Sequence, residues 1–216
     1  MDALALLRLQ QIFDSQFPLG GFAHSWGIET YAQQRVSPEH LEKLVCNMVR
    51  QGWGKLDLAA AFLGHQFASN AAELTKLAAV VDATKLVPGP RNASLQMGRR
   101  MLNMMGRLYP ELMLHVEPPH HCVVVGAAGG HLDIPQRDLL LTYGQSTAMG
   151  CLAAATRCMR LSPARAQEIL TALQPEIIHA ADQAMADPEA ALYTCTPALD
   201  LRAHQQASLY SRLFQS

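Results

Sequence analysis

Apolar residues recur at spacings of three and four along most of the chain, the period of one buried helix face. Leu41, Leu44, Val45, Met48 and Val49 form the clearest stripe. Ser37-Pro38-Glu39 before it predicts the helix start, with Ser as N-cap, Pro at the first helical position and an acid in the first turn. Ser162-Pro163 repeats that signal and predicts a helix to about Met185. Asn70 predicts a cap for a helix through Leu74, Leu77, Val80 and Val81. Leu4, Leu7 and Gln11 or Ile12 are expected to line one face of a first helix, and Ser25 to Gln34 to form a second. Gly52 and Gly54 are expected to kink or end the third, before a helix from Leu56 to Ala68. Lys85 to Pro90 reads as a connector, and Arg91 to Leu108 as a long amphipathic helix ended by Tyr109-Pro110. Glu117-Pro118-Pro119 breaks the chain again, and Pro135 opens a helix over Gln136 to Arg160.

Period-two alternation is nearly absent. Cys122-Val123-Val124-Val125 has strand propensity but is short and lacks a partner run. The expectation is an all-α fold: a single helical-bundle domain over residues 1–216 of about eight to ten helices. A peripheral C-terminal tail is expected from about Leu192. Within that tail Leu209, Tyr210, Leu213 and Phe214 form an apolar stripe, which predicts docking on its own domain or on a partner helix groove.

One segment breaks the helical rhythm. Phe17 to Glu29 holds three Gly, one Pro and three aromatics, with no charge before Glu29. Pro18 with Gly20-Gly21 excludes a helix there and predicts a half-buried turn. A β-branched residue at Gly21 should block close backbone approach.

Composition narrows the function. Half of the residues are apolar, 16% are charged, and the formal net charge is -1. A dispersed, balanced charge argues against nucleic acid as a partner. The stretch Leu139 to Thr156 carries no charge, yet Thr142 to Thr147 would make poor lipid contacts, so a buried helix is expected rather than a membrane span. The cysteines, five in number and without close pairing, read as reduced thiols in a cytoplasmic protein without an export signal. Cys151 and Cys158, seven apart, read as core, as do the methionines at 97, 101, 104 and 105.

Candidate chemistry is sparse. Ser25 lies in His24-Ser25-Trp26-Gly27, but Ala23 stands where a nucleophile elbow needs Gly, and no strand precedes it. No Walker-type spacing is present, and Gly126-Ala127-Ala128-Gly129-Gly130 follows no convincing strand. His115, Glu117, His120, His121, Cys122 and His131 are close in sequence, yet no paired-ligand spacing fixes a metal geometry. A small helical metal-binding protein or enzyme using His24, His120, His121 and Cys122 is the alternative reading.

Motifs at the two ends point to one family. Asp14, Phe17-Pro18-Leu19-Gly20-Gly21-Phe22-Ala23-His24-Ser25 and Gly27-Ile28-Glu29 resemble the opening of the urease accessory protein UreF family. Asp200, His204, Tyr210-Ser211-Arg212-Leu213-Phe214 and Ser216 are similar to its ending. Met97 to Leu102, with Arg99, and His121 with Val123 to Gly126 resemble segments between them. The resemblance implies an all-helical, homodimeric, non-catalytic protein. It would bridge a UreD/UreH-type accessory protein and a UreG-type GTPase while apo-urease receives nickel. It implies no stably bound cofactor, the ion being handled by the complex. By the same resemblance, Phe17, Pro18, Gly20, Gly21, His24, Ser25, Glu29, Arg99, His121, Asp200, His204, Tyr210, Arg212, Leu213 and Phe214 would serve partner binding or assembly.

Overall fold

A computed structural model describes residues 2–216. Among them are the helices α1 (Ala3–Ile12), α2 (Ile28–Gln33), α3 (Pro38–Gln51), α4 (Trp53–Gln66), α5 (Ala71–Thr84), α6 (Pro88–Leu108), α7 (His121–His131), α8 (Gln136–Cys158), α9 (Pro163–Ala186) and α10 (Pro197–Gln205). Short 3-10 turns cover Gly21–Ala23 and Gln206–Ser208. The fold is all-α.

Local signals place most helix starts. The Ser37 hydroxyl accepts from His40 N, Asn70 Oδ1 from Glu73 N at 3.2 Å, and Ser162 Oγ from Arg165 N at 3.1 Å. Each side chain satisfies a donor that the first helical turn leaves free. α6 begins at Pro88, inside the segment expected as a connector, because Pro at the first turn gives up no hydrogen bond.

The core is built around α4 and α7, which make the most extensive helix–helix contact. Both carry small residues at the crossing. A Cβ on Gly126 would lie 2.1 Å from Ala61 O, and one on Gly64 2.8 Å from Val123 O. The two backbones therefore approach to a distance that only glycine allows. Cys122 to Val125, despite their strand propensity, lie in the first turns of α7 and are buried on every side. Burial against α4 and α6 overrides an intrinsic preference worth at most about 1 kcal/mol. α8 packs on α9, and α9 on α3 and α4. The uncharged run Leu139 to Thr156 lies within α8, and no helix among the described residues is long and apolar enough to cross a membrane.

Two expectations need correction. The buried face of α1 is Ala5, Leu9 and Ile12, while Leu4 and Leu7 are 52% and 62% exposed. Spacings of four and three fit either stripe, and packing selects the one with Leu9 and Ile12. The second helix starts at Ile28 rather than Ser25. Trp26 (φ +56°) and Gly27 (φ +87°) hold the chain in the left-handed region just before it.

Candidate functional site

The turn from Phe17 and the chain after α10 fold onto each other. Gly20 adopts φ +74°, and a Cβ there would lie 1.7 Å from Arg100 Nη1. The left-handed backbone is what asks for glycine, since the guanidinium is the flexible end of an exposed side chain. The Arg100 guanidinium, on α6, donates instead to Leu19 O at 3.0 Å. Gly27 combines its positive φ with a close approach to α10, where Ala203 N would be 3.2 Å from an added Cβ. Gly21 is less constrained than expected: its Cβ would meet only the flexible end of Met97, at 3.3 Å.

Three consecutive residues then clasp the tail. Ala23 O accepts from Gln215 N at 2.8 Å, and Ser25 N donates to Ser216 O at 2.5 Å. His24 Nδ1 lies 2.7 Å from Ser216 Oγ. The buried Ser25 hydroxyl donates to Gln206 Oε1 at 3.2 Å. The Ser25 hydroxyl is thus spent on the tail. Burial, reinforced by Arg100, holds the His24 pKa below the usual imidazole range.

Glu29 organises the clasp. Its carboxylate is 3% exposed. Oε1 accepts from Leu213 N at 2.5 Å, and Oε2 from Phe214 N at 3.3 Å and Gln206 Nε2 at 3.0 Å. A buried carboxylate is tolerated when hydrogen bonds replace its water. Thr30 Oγ1 donates to Arg202 O at 3.0 Å, and Gln33 Nε2 to Ser211 O at 3.1 Å, so α2 grips α10 and the tail together.

Phe214 is the tail's buried anchor. The Arg157 guanidinium, at the end of α8, sits 4.6 Å from its ring centroid and donates from Nη1 to Phe22 O at 2.8 Å. One cation thereby ties helix, turn and tail. The segment expected at the periphery is in part buried: Ala203, Gln206, Phe214 and Ser216 are all inside. The expected apolar stripe divides. Phe214 turns inward, whereas Leu213 is 63% exposed and Tyr210 wholly exposed. Phe22, at the tip of the turn, is 76% exposed.

The remaining residues singled out in the sequence are spread around this clasp. Phe17 packs at the core margin, and Pro18, Arg99, His204 and Arg212 are exposed. Asp200 Oδ1 accepts from Thr196 Oγ1 at 3.1 Å at the start of α10. His121 lies deeper, edge-on to Tyr143 with ring centroids 5.5 Å apart. A cavity of about 780 Å³ nevertheless borders both regions, with Gly20, Gly21, His24, His121 and Tyr143 all in its lining. Arg157, Gln206 and Arg100 escaped the sequence reading. Arg157 did carry a signal, as the first charge after the uncharged run of α8.

The histidines and cysteine of the alternative reading are not gathered. His120 is wholly buried and committed to Asp82 Oδ1 at 2.9 Å and to Ser94 Oγ at 3.2 Å. Burial pushes the Cys122 thiol far up, so it is held protonated. No group of three or more His, Cys, Asp or Glu among the described residues is placed to hold a metal ion.

Comparison with known proteins agrees with the end motifs. The UreF family profile matches residues 36–174. A urease accessory protein UreF of Paracoccus denitrificans (strain Pd 1222) is 30% identical, over 98% of this chain and 96% of its own length. One from Nostoc sp. (strain PCC 7120) is 28% identical over 97% and 95%. One from Haemophilus influenzae (strain PittEE) is 29% identical over 100% and 96%. The turn and the tail fall outside the profile match, and the Haemophilus influenzae relative aligns across both. With a profile match over most of its length and relatives aligned nearly end to end, the chain belongs to the UreF family of urease accessory proteins.

Proposed function

We propose that this protein is a non-catalytic scaffold of urease maturation. It would bridge a UreD/UreH-type accessory protein and a UreG-type GTPase on apo-urease, as a cytoplasmic homodimer, with nickel handled by the assembly. The observation that carries this reading is the division of labour within the clasp. Glu29, Ser25, His24 and Phe214 are spent on holding the turn and tail together. Phe22, Tyr210 and Leu213 are left projecting from that rigid base. Large apolar side chains fixed on an ordered backbone lose little entropy on docking, which is how interface anchors work.

Co-expression with the two accessory partners, followed by size-exclusion chromatography, tests the proposal. A complex containing this chain and at least one partner is expected. Elution of the chain apart from both would overturn the scaffold reading.

A further inference from the structure

α8 turns an uncharged face to solvent. Between Leu139 and Thr156 it carries no charge, including on the side it leaves uncovered. Thr142, Gln145, Met149, Ala153 and Thr156 recur there at spacings of three and four, the period of one helix face. Met149 is 44% exposed, Ala153 is exposed, and the other three are half-buried. The polar members are less polar than they read. Thr142 Oγ1 donates to Asp138 O at 2.8 Å, and Thr156 Oγ1 to Ala153 O at 2.9 Å, so both hydroxyls are turned back onto their own helix. The outward face of a helix that meets only water is ordinarily charged. About four turns without a charge are suited to the core of a protein interface, where charge is depleted.

The charges stand at the two ends of this face, and they are opposite. Asp138 continues the stripe one turn before Thr142, eleven residues before Met149. Arg160 is exposed eleven residues after Met149, just past the end of α8. Neither takes part in an ion pair among the described residues. The other charges nearby are occupied. Arg137 pairs with Asp182 on α9 at 3.1 Å, and Arg157 donates to Phe22 O and stacks on Phe214. Thr142 and Thr156 are each seven residues from Met149. The face is therefore close to a palindrome about Met149, with its end charges inverted. Such a surface is complementary to itself after half a rotation, which is the requirement of an isologous contact. Beside the centre, Gly150 has open space where a Cβ would stand, a notch next to the projecting Met149.

We propose that this face of α8 is the homodimer interface, two copies packing antiparallel about a two-fold axis near Met149 and Gly150, with Asp138 of each copy paired to Arg160 of the other. The inference rests on the homodimer reading and adds its location and register. Each Met149 fills the notch over the other copy's Gly150. The palindrome selects a second copy over an unrelated partner, whose surface would have no need of it.

Sedimentation velocity on the full-length chain at low ionic strength tests the interface, with circular dichroism checking that each variant keeps the wild-type helicity. The wild type is expected to be dimeric. Met149→Lys sets two ammonium groups against each other on the axis and should raise the dimer dissociation constant at least about tenfold. Asp138→Arg and Arg160→Asp should each weaken the dimer about tenfold, since like charges then meet at both ends. Combining the two reversals restores opposite charges and should return the constant to near its wild-type value. A wild-type chain that stays monomeric would overturn the homodimer and this interface together. A dimer untouched by Met149→Lys and by the reversals would overturn the interface and leave the homodimer standing. Loss of co-elution with an accessory partner in that dimeric Met149→Lys protein would give the face to the partner instead. Reversals that weaken the dimer without mutual rescue would overturn the antiparallel register.

Discussion

Glu29 accepts the backbone N–H groups of both Leu213 and Phe214, across 184 and 185 positions of sequence. A carboxylate on α2 thereby does for the tail what a neighbouring strand or helix turn would do. Replacing it with Ala leaves two backbone donors and the Gln206 amide without their acceptor. Glu29→Ala is expected to destabilise the protein by about 2–4 kcal/mol. Glu29→Gln, which keeps one acceptor oxygen, should cost about half as much. Urea unfolding measures both, and amide exchange should show protection lost at residues 213 and 214. Full protection there in Glu29→Ala would refute the assignment.

The tail's apolar residues should separate into two phenotypes. Phe214→Ala empties a buried pocket beneath Arg157 and is expected to cost about 3 kcal/mol. Tyr210→Ala and Leu213→Ala, on exposed side chains, should change stability by no more than about 0.5 kcal/mol. The same two changes should weaken co-elution with the accessory partners. Thermal melts paired with size-exclusion chromatography distinguish the classes. A destabilised Tyr210→Ala protein would contradict the inward–outward division.

Among the turn glycines, Gly20 and Gly27 should be intolerant and Gly21 permissive. Gly20→Ala forces a side chain into the left-handed region, with an expected loss of about 1–2 kcal/mol. Gly21→Ala meets only the end of Met97 and should be close to neutral. Comparative denaturant midpoints test the ranking, and a more severe effect at Gly21 would reverse it.

Stability should fall between neutral pH and pH 4. Burial lowers the His121 pKa from 6.5 to about 4, opposed weakly by Asp57 and aided by Lys85. The unfolded chain therefore binds more protons than the folded one across that interval. The His121 contribution is fully present above pH 6.5 and is lost as pH falls toward 4, amounting to about 3 kcal/mol. Burial shifts His24 and His120 in the same direction. His121→Gln should flatten the slope of unfolding free energy against pH in this window. An unchanged slope would show that His121 is not the group responsible.

Helix starts were legible because their causes are local. Ser37, Asn70 and Ser162 each lie three residues before the amide they cap. Helix faces were less so: in α1 two stripes satisfy the helical period, and only the position of the neighbouring helices chooses Leu9 over Leu7. The two end motifs of the site were visible as unusual sequence. Their mutual contact was not, since nothing in the composition of residues 206–216 indicates that Glu29 and Ser25 would receive them. Likewise, Gly126 stood out only within a glycine-rich run, whereas the close crossing of α4 and α7 is what requires it.

The clasp also imposes an order of events on a newly made chain. The turn and α2 emerge early, but their buried polar side chains find partners only in residues 202–216. Until those arrive, the bundle lacks its seam. Contacts of such long sequence separation form late in folding, because closing the intervening loop costs entropy first. The projecting surface is therefore completed last, since Tyr210 and Leu213 lie in the tail itself.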